Sequence, residues 1–161
     1  MEPGLIALKL FLNVLNEESD IGTLDDRVRI QKTVYLGQLS GINLGYHFGW
    51  HIKGPYSPSL ARDYYALEEA TRRGDKAFEN RSLPQGLADK LRRIRPLLQV
   101  PPETGLTKVE WLELVASLHY LVKVSQYGID DAIEHLKRTK TKIADHSTEA
   151  RKALHEAGFL A

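Results

Sequence analysis

Apolar positions recur every three or four residues along most of the chain, and that period predicts helices. Leu5, Leu8, Leu12 and Leu15, joined by Phe11, place a first helix over Pro3 to Asn16. The acidic run Glu17-Glu18-Ser19-Asp20 and Gly22 end it as a loop. The leucine stripe reads as core packing, with a dimer seam as the alternative. Thr23 is suited to cap a second helix, and Asp25 and Asp26 fall in its first turn, where the dipole favours negative charge. This helix runs to about Ser40, with Gly41 beyond its end. Leu24, Val28, Tyr35 and Leu39 form one stripe, while Ile30, Val34 and Leu36 lie on other faces. A helix apolar on several faces is a central one. Gly37 within it predicts a close approach by another helix. Arg27, Arg29 and Lys32 form a basic row that is either solvated or turned to a ligand.

From Tyr46 the period changes to two. Tyr46, Phe48, Trp50 and Ile52 share one face of an extended segment; His47, Gly49, His51 and Lys53 share the other. Gly54-Pro55 reads as the turn that ends this strand. Ser57 and Pro58 then fit the cap and first position of a third helix, with Leu60, Tyr64, Leu67 and Thr71 inward and Arg72-Arg73-Gly74 at its end. Asp75 to Asn80 is a candidate second strand that pairs with the first.

Leu87, Leu91, Ile94 and Leu98 predict a fourth helix over Leu83 to Gln99, kinked or ended by Pro96. Pro101-Pro102 is the clearest break, a sub-boundary near residues 100–105 in a single domain of 1–161. Thr107 and Glu110 form a capping box for a helix that carries Trp111 as a core anchor and ends near Tyr127-Gly128. Further helices run from Asp130 or Asp131 to about Lys140, and from Ser147 or Thr148 to Ala157. The fold class is mainly α: one helical domain with a small β-hairpin or wing-like element, of which a winged helix is one form.

Composition narrows the function classes. Basic and acidic side chains number 22 and 21, a net charge of +1, so nucleic acid could be reached only through a local patch. The chain has no cysteine, which removes disulfides, thiol nucleophiles and cysteine-based zinc sites. The start has no basic region of the signal-peptide kind, and no apolar run approaches the ~18 residues of a membrane span. The expectation is a cytoplasmic protein without a membrane segment.

No catalytic motif is present. Phosphate-loop, dinucleotide and nucleophile-elbow patterns are all missing. His47 and His51 on a strand stand roughly 13 Å apart, too far for one metal ion, and Phe159 stands where the zinc-protease motif beginning His155-Glu156 needs its second histidine. No metal and no cofactor is expected. Two basic clusters could meet phosphates: Lys137, Arg138, Lys140 and Lys142, and Arg92, Arg93 and Arg95. Their bland reading is solvated charge near helix C-termini.

Arg29 to Gln38 and Gly45 to Asp63 carry a pattern: Ile30-Gln31-Lys32 and Tyr35-Leu36, then Trp50, Gly54, Pro55, Tyr56, Pro58 and Leu60. In order and spacing it resembles the YwgA-like family of small prokaryotic proteins and, more distantly, the Panacea domain of antitoxins. The link between Gly41 and Trp50 is shorter here than in the Panacea pattern. The resemblance implies a mostly helical fold with a small strand element and, from the Panacea side, binding of a partner protein. Much of the motif reads as structural: Gln31 satisfies backbone groups of the following strand, Tyr35 and Trp50 stack in the core, and Gly54, Pro55 and Pro58 shape the turn and helix start. The docking rim would be Lys32, His51, Lys53, Tyr56 and Arg62. The first expectation is thus a non-enzymatic, antitoxin-like interaction module that binds a protein. The alternatives are a nucleic-acid-binding regulator that uses the basic clusters, and an enzyme of unknown type.

Overall fold

A computed structural model describes residues 1–161. Eight α-helices surround one two-stranded antiparallel hairpin: α1 Pro3–Val14, α2 Leu24–Gln38, β1 Gly49–His51, β2 Gly54–Tyr56, α3 Pro58–Arg72, α4 Gln85–Arg92, α5 Lys108–Lys123, α6 Ile129–Thr139, α7 Thr141–Ala144 and α8 Ser147–Glu156. The fold is mainly helical with a small hairpin, as the alternation of periods predicts. No helix is long and apolar enough to cross a membrane.

Two helices form the centre. In α2, every residue from Ile30 to Gly37 is buried, the many-sided packing its scattered apolar positions call for. In α5, the run Trp111 to Tyr120 is buried apart from Glu113. These helices pack on each other, α8 and α6 cover α5, and α1 lies against α3 and α4. One continuous apolar cluster extends from Leu5 to Leu160 and crosses the Pro101-Pro102 break.

Local signals explain the helix starts. Thr23 accepts from the Asp26 amide at 3.0 Å while Asp26 accepts from the Thr23 amide at 3.2 Å. Thr107 and Glu110 form the same reciprocal box, each box satisfying two amides that the helix leaves unpaired. Ser57 caps α3 through the Leu60 amide at 3.3 Å. Gly37 is required by packing: a Cβ there would lie 2.3 Å from the Phe11 ring of α1.

Several expectations are corrected. The partner of the first strand is Gly54–Tyr56, in the register Trp50 opposite Pro55, and not Asp75–Asn80, which forms turns. Gly54-Pro55 therefore belongs to β2, and the turn is Ile52-Lys53. Proline is tolerated because a two-stranded ladder has only edges. Ile52 leaves the aromatic face once the chain turns, and stands 91% exposed. Leu24, Leu87 and Thr71 are exposed rather than inward. The fourth helix stops at Arg92, and Pro96 sits in a short 3-10 turn, Arg95–Leu98. The fifth ends at Lys123, and α7 is an additional helical turn.

Candidate functional site

A groove of about 320 Å³ opens between α2, the hairpin tip and α3. The N-terminal half of α2 builds its floor with Leu24, Arg27, Val28, Gln31 and Lys32, whose spacing by three and four residues puts them on one helix face. The turn supplies His51, Ile52 and Lys53 as an outer lip, and Tyr56 follows on β2. The far wall is Tyr64 and Tyr65 of α3. Leu24 and Tyr65 are more than half exposed, and with Ile52 they make three of the six large hydrophobic side chains that stand exposed on the molecule. No Asp or Glu lines the groove.

The groove is held by hydrogen bonds from α2 to the hairpin strand. The Gln31 carboxamide donates to the Ser57 carbonyl at 3.0 Å and accepts from the Ser57 amide at 2.9 Å. Gln38 makes the equivalent hold on the preceding loop, accepting from the Leu44 amide and donating to the Tyr46 carbonyl. Lys32 reaches the Pro55 carbonyl at 2.6 Å. At the tip, Lys140 donates to the Ile52 carbonyl at 2.6 Å, pairs with Glu113 at 3.0 Å and lies over the Trp50 ring.

Lys32 is 1% exposed. This corrects its placement on a solvated rim. It has no carboxylate partner, because the nearby Glu113 is engaged by Lys140. Burial lowers its pKa to about 7; Glu113 opposes the shift, and Lys140 and Lys53 add to it. A second buried titratable pair lies behind the hairpin. The Tyr35 hydroxyl and His119 Nδ1 share a hydrogen bond of 2.7 Å, and burial, with a smaller contribution from Lys123, lowers the pKa of His119 to about 4. Burial likewise raises the Tyr35 pKa. The Trp50 and Tyr120 rings and the Tyr35 and Phe48 rings pack beside this pair, which accounts for the aromatic face of the strand.

Four of the five rim residues read from the sequence, Lys32, His51, Lys53 and Tyr56, therefore meet at one groove, while Arg62 is exposed on α3 outside it. The basic clusters fare differently. Lys142 pairs with Glu110 at 2.6 Å, Arg92 with Asp89 at 2.9 Å, and Arg95 donates to the Val14 carbonyl at 2.9 Å. Lys140, on Glu113, and Arg95 are held within the chain, whereas Lys142 and Arg92 stay exposed in surface ion pairs. Arg93, Lys137 and Arg138 are exposed. Sequence reasoning missed Leu24, Tyr64 and Tyr65 as groove residues, while Arg27 comes from the basic row that it left as either solvated or ligand-facing. The signal for Tyr65 was present, since it flanks the inward Tyr64 and must stand at the helix margin.

No three His, Asp or Glu side chains gather closely enough to hold a metal ion. The chain matches no protein-family model, no curated protein and no solved structure.

Proposed function

We propose that the protein is a non-enzymatic interaction module that docks a partner protein in the groove between α2, the hairpin tip and α3. The observation that carries this reading is the convergence of Leu24, Ile52 and Tyr65, exposed apolar side chains from three separate elements, on one concavity. Scattered single apolar residues are ordinary on a surface, but a cluster at a groove marks a place where something docks. The resemblance to YwgA-like sequences, and through them to Panacea antitoxins, supports a partner-binding and antitoxin-like role. The same residues that carry the resemblance, Gln31, Lys32, Gly54, Pro55 and Tyr56, build or line the groove. Nucleic-acid binding through the basic clusters is the weaker reading, because each cluster loses one central cation to the fold, Arg95 to the Val14 carbonyl and Lys140 to Glu113. The cysteine-free composition suits a cytoplasmic setting.

The test is site-specific photo-crosslinking in the native host after nuclease treatment. A crosslinking side chain at Ile52 is expected to capture a discrete protein, and the same group at Lys152, on α8 outside the groove, is expected not to. Equal yields at both positions, or a crosslink to nucleic acid alone, would overturn the reading.

A further inference from the structure

The basic cluster Arg92, Arg93 and Arg95 does not act as one row. Arg92 and Arg95 line a hollow of about 370 Å³ between the end of α1 and α4, and Arg93 lies outside it. Arg81, from the segment that leads into α4, joins them there, with Asn13, Asn16 and Ser82. No Asp or Glu lines this hollow, and it shares no residue with the docking groove. Three guanidinium groups from three segments thus surround one concavity, in a chain whose charges otherwise nearly balance.

Most of their donors remain available. An arginine has five N–H groups. Arg81 is exposed and has no acceptor within the chain, and the side chains of Asn13, Asn16 and Ser82 are likewise without partners. Arg92 gives one N–H to Asp89, a residue of its own helix that does not line the hollow. Arg95 commits Nε and Nη2 to the Val14 carbonyl and keeps Nη1. That contact also removes an obstacle. The C-terminal end of a helix repels negative charge, and α1 ends here. Arg95 covers the Val14 carbonyl, and the Asn16 amide covers that of Asn13.

We propose that this hollow binds the terminal phosphate of a small organic phosphate, with Arg81 and Arg92 as the principal donors and Arg95 as a fixed third cation. Planar guanidinium groups match phosphate oxygens with paired N–H···O bonds, and the volume is that of a small-molecule site. None of the large apolar side chains exposed on the molecule lines it, so a peptide side chain has no seat there. A nucleic-acid backbone presents singly charged diesters in a row, and Arg93, which would extend such a row, is outside the concavity. A terminal phosphate carries about two charges at neutral pH and enters a concavity end-on.

The experiment is an NMR titration of the full chain in about 0.15 M salt, where diffuse surface attraction is screened. The probes are ribose 5-phosphate, ribose, sulfate and an oligothymidylate that lacks terminal phosphates. Ribose 5-phosphate is expected to shift the amides of Asn16, Ser82 and Arg92 saturably and to bind more tightly than sulfate, with no response to ribose. Arg81→Gln and Arg92→Gln are each expected to weaken it about tenfold, the loss of one charge-assisted contact. Arg93→Gln, one residue from Arg92 and outside the hollow, is expected to leave it unchanged. Arg95 is kept in every variant because it closes the end of α1. An equal loss in Arg93→Gln would show diffuse positive charge and overturn the site. Sulfate that binds as tightly as ribose 5-phosphate means an adventitious ion only, and also overturns it. Tighter binding of the oligothymidylate at the same amides reassigns the hollow to a nucleic-acid backbone, and the absence of saturable shifts with ribose 5-phosphate removes the proposal altogether.

Discussion

Gln31 and Ser57 are bound to each other twice: one carboxamide both donates to and accepts from the backbone of a single residue 26 positions away, with all participating groups buried. The side chain thus acts as a third strand, one residue long, against the end of β2. Removing it leaves the buried Ser57 amide without a partner, while the Ser57 carbonyl keeps the Ala61 amide at 3.1 Å. Gln31→Leu is expected to destabilise the protein by about 2 kcal/mol, the desolvation penalty of one orphaned buried amide, read from urea unfolding midpoints. A loss below about 1 kcal/mol would mean that the hairpin finds its order elsewhere.

Gly54 and Ser117 are in comparably close contact. Gly54 has φ +91°, and a Cβ on it would lie 2.3 Å from the Ser117 hydroxyl oxygen, itself buried without a hydrogen-bond partner. Two costs are therefore superposed in Gly54→Ala, a left-handed backbone and a collision. The double variant with Ser117→Ala removes only the collision. It is expected to recover most of the lost stability and to retain a residual deficit of about 1 kcal/mol from the backbone. A double-mutant cycle with no coupling would contradict the contact.

The Tyr35–His119 pair predicts acid sensitivity. His119 titrates at about 4 in the folded chain, against 6.5 as its ordinary value. Between those pH values the unfolded chain binds a proton that the folded one refuses, so this contribution to stability is intact above about pH 6.5 and is lost as pH falls toward 4. From pH 7 to pH 5 the loss attributable to His119 is about 2 kcal/mol by linkage. His119→Gln keeps an acceptor for the Tyr35 hydroxyl and is expected to flatten this part of the pH profile. An unchanged slope in that variant would assign the acid response to other groups.

Lys32 predicts a stability cost that depends on pH. Its pKa falls from 10.5 to about 7 on folding, so its share of stability is complete above pH 10.5 and erodes as pH drops toward 7, where the unfolded chain is protonated and the folded chain is only partly so. Lys32→Met removes that penalty at the expense of the hydrogen bond to Pro55. At pH 7 the variant is expected to be more stable by about 1–2 kcal/mol, within the range seen when a buried charge gives way to a hydrophobe, as read from urea unfolding. A destabilised variant would identify the Pro55 bond as the dominant role of the amine.

Much of the fold was legible because its signals are local. Thr23 and Thr107 announce their caps within three residues, and Gly37 announces a close approach because a helix interior otherwise disfavours glycine. Gln31 was given a backbone role on the following strand, and the structure places that role one residue past β2, on the cap residue Ser57. The hairpin was misread because its turn, Ile52-Lys53, carries none of the usual turn residues, whereas Gly54-Pro55 looks like a breaker and in fact supplies a positive φ and an edge proline. Lys32 was misplaced for a related reason. In a row with Arg27 and Arg29 it looks solvated, and only the hairpin folding over α2 encloses it. Leu24 and Ile52 failed in the opposite direction, apolar by type yet left open at the lip of the groove.

The bond between Lys140 and the Ile52 carbonyl spans 88 positions of sequence. A hairpin of three-residue strands has little stability of its own, so the outer wall of the groove draws its rigidity from the far end of α6. During synthesis the floor and far wall are available once α3 has been made, but the lip is secured only after Lys140 emerges and Glu113 has been placed to hold it. A chain that lacks Lys140 therefore leaves the hairpin tip without the anchor that joins it to α5.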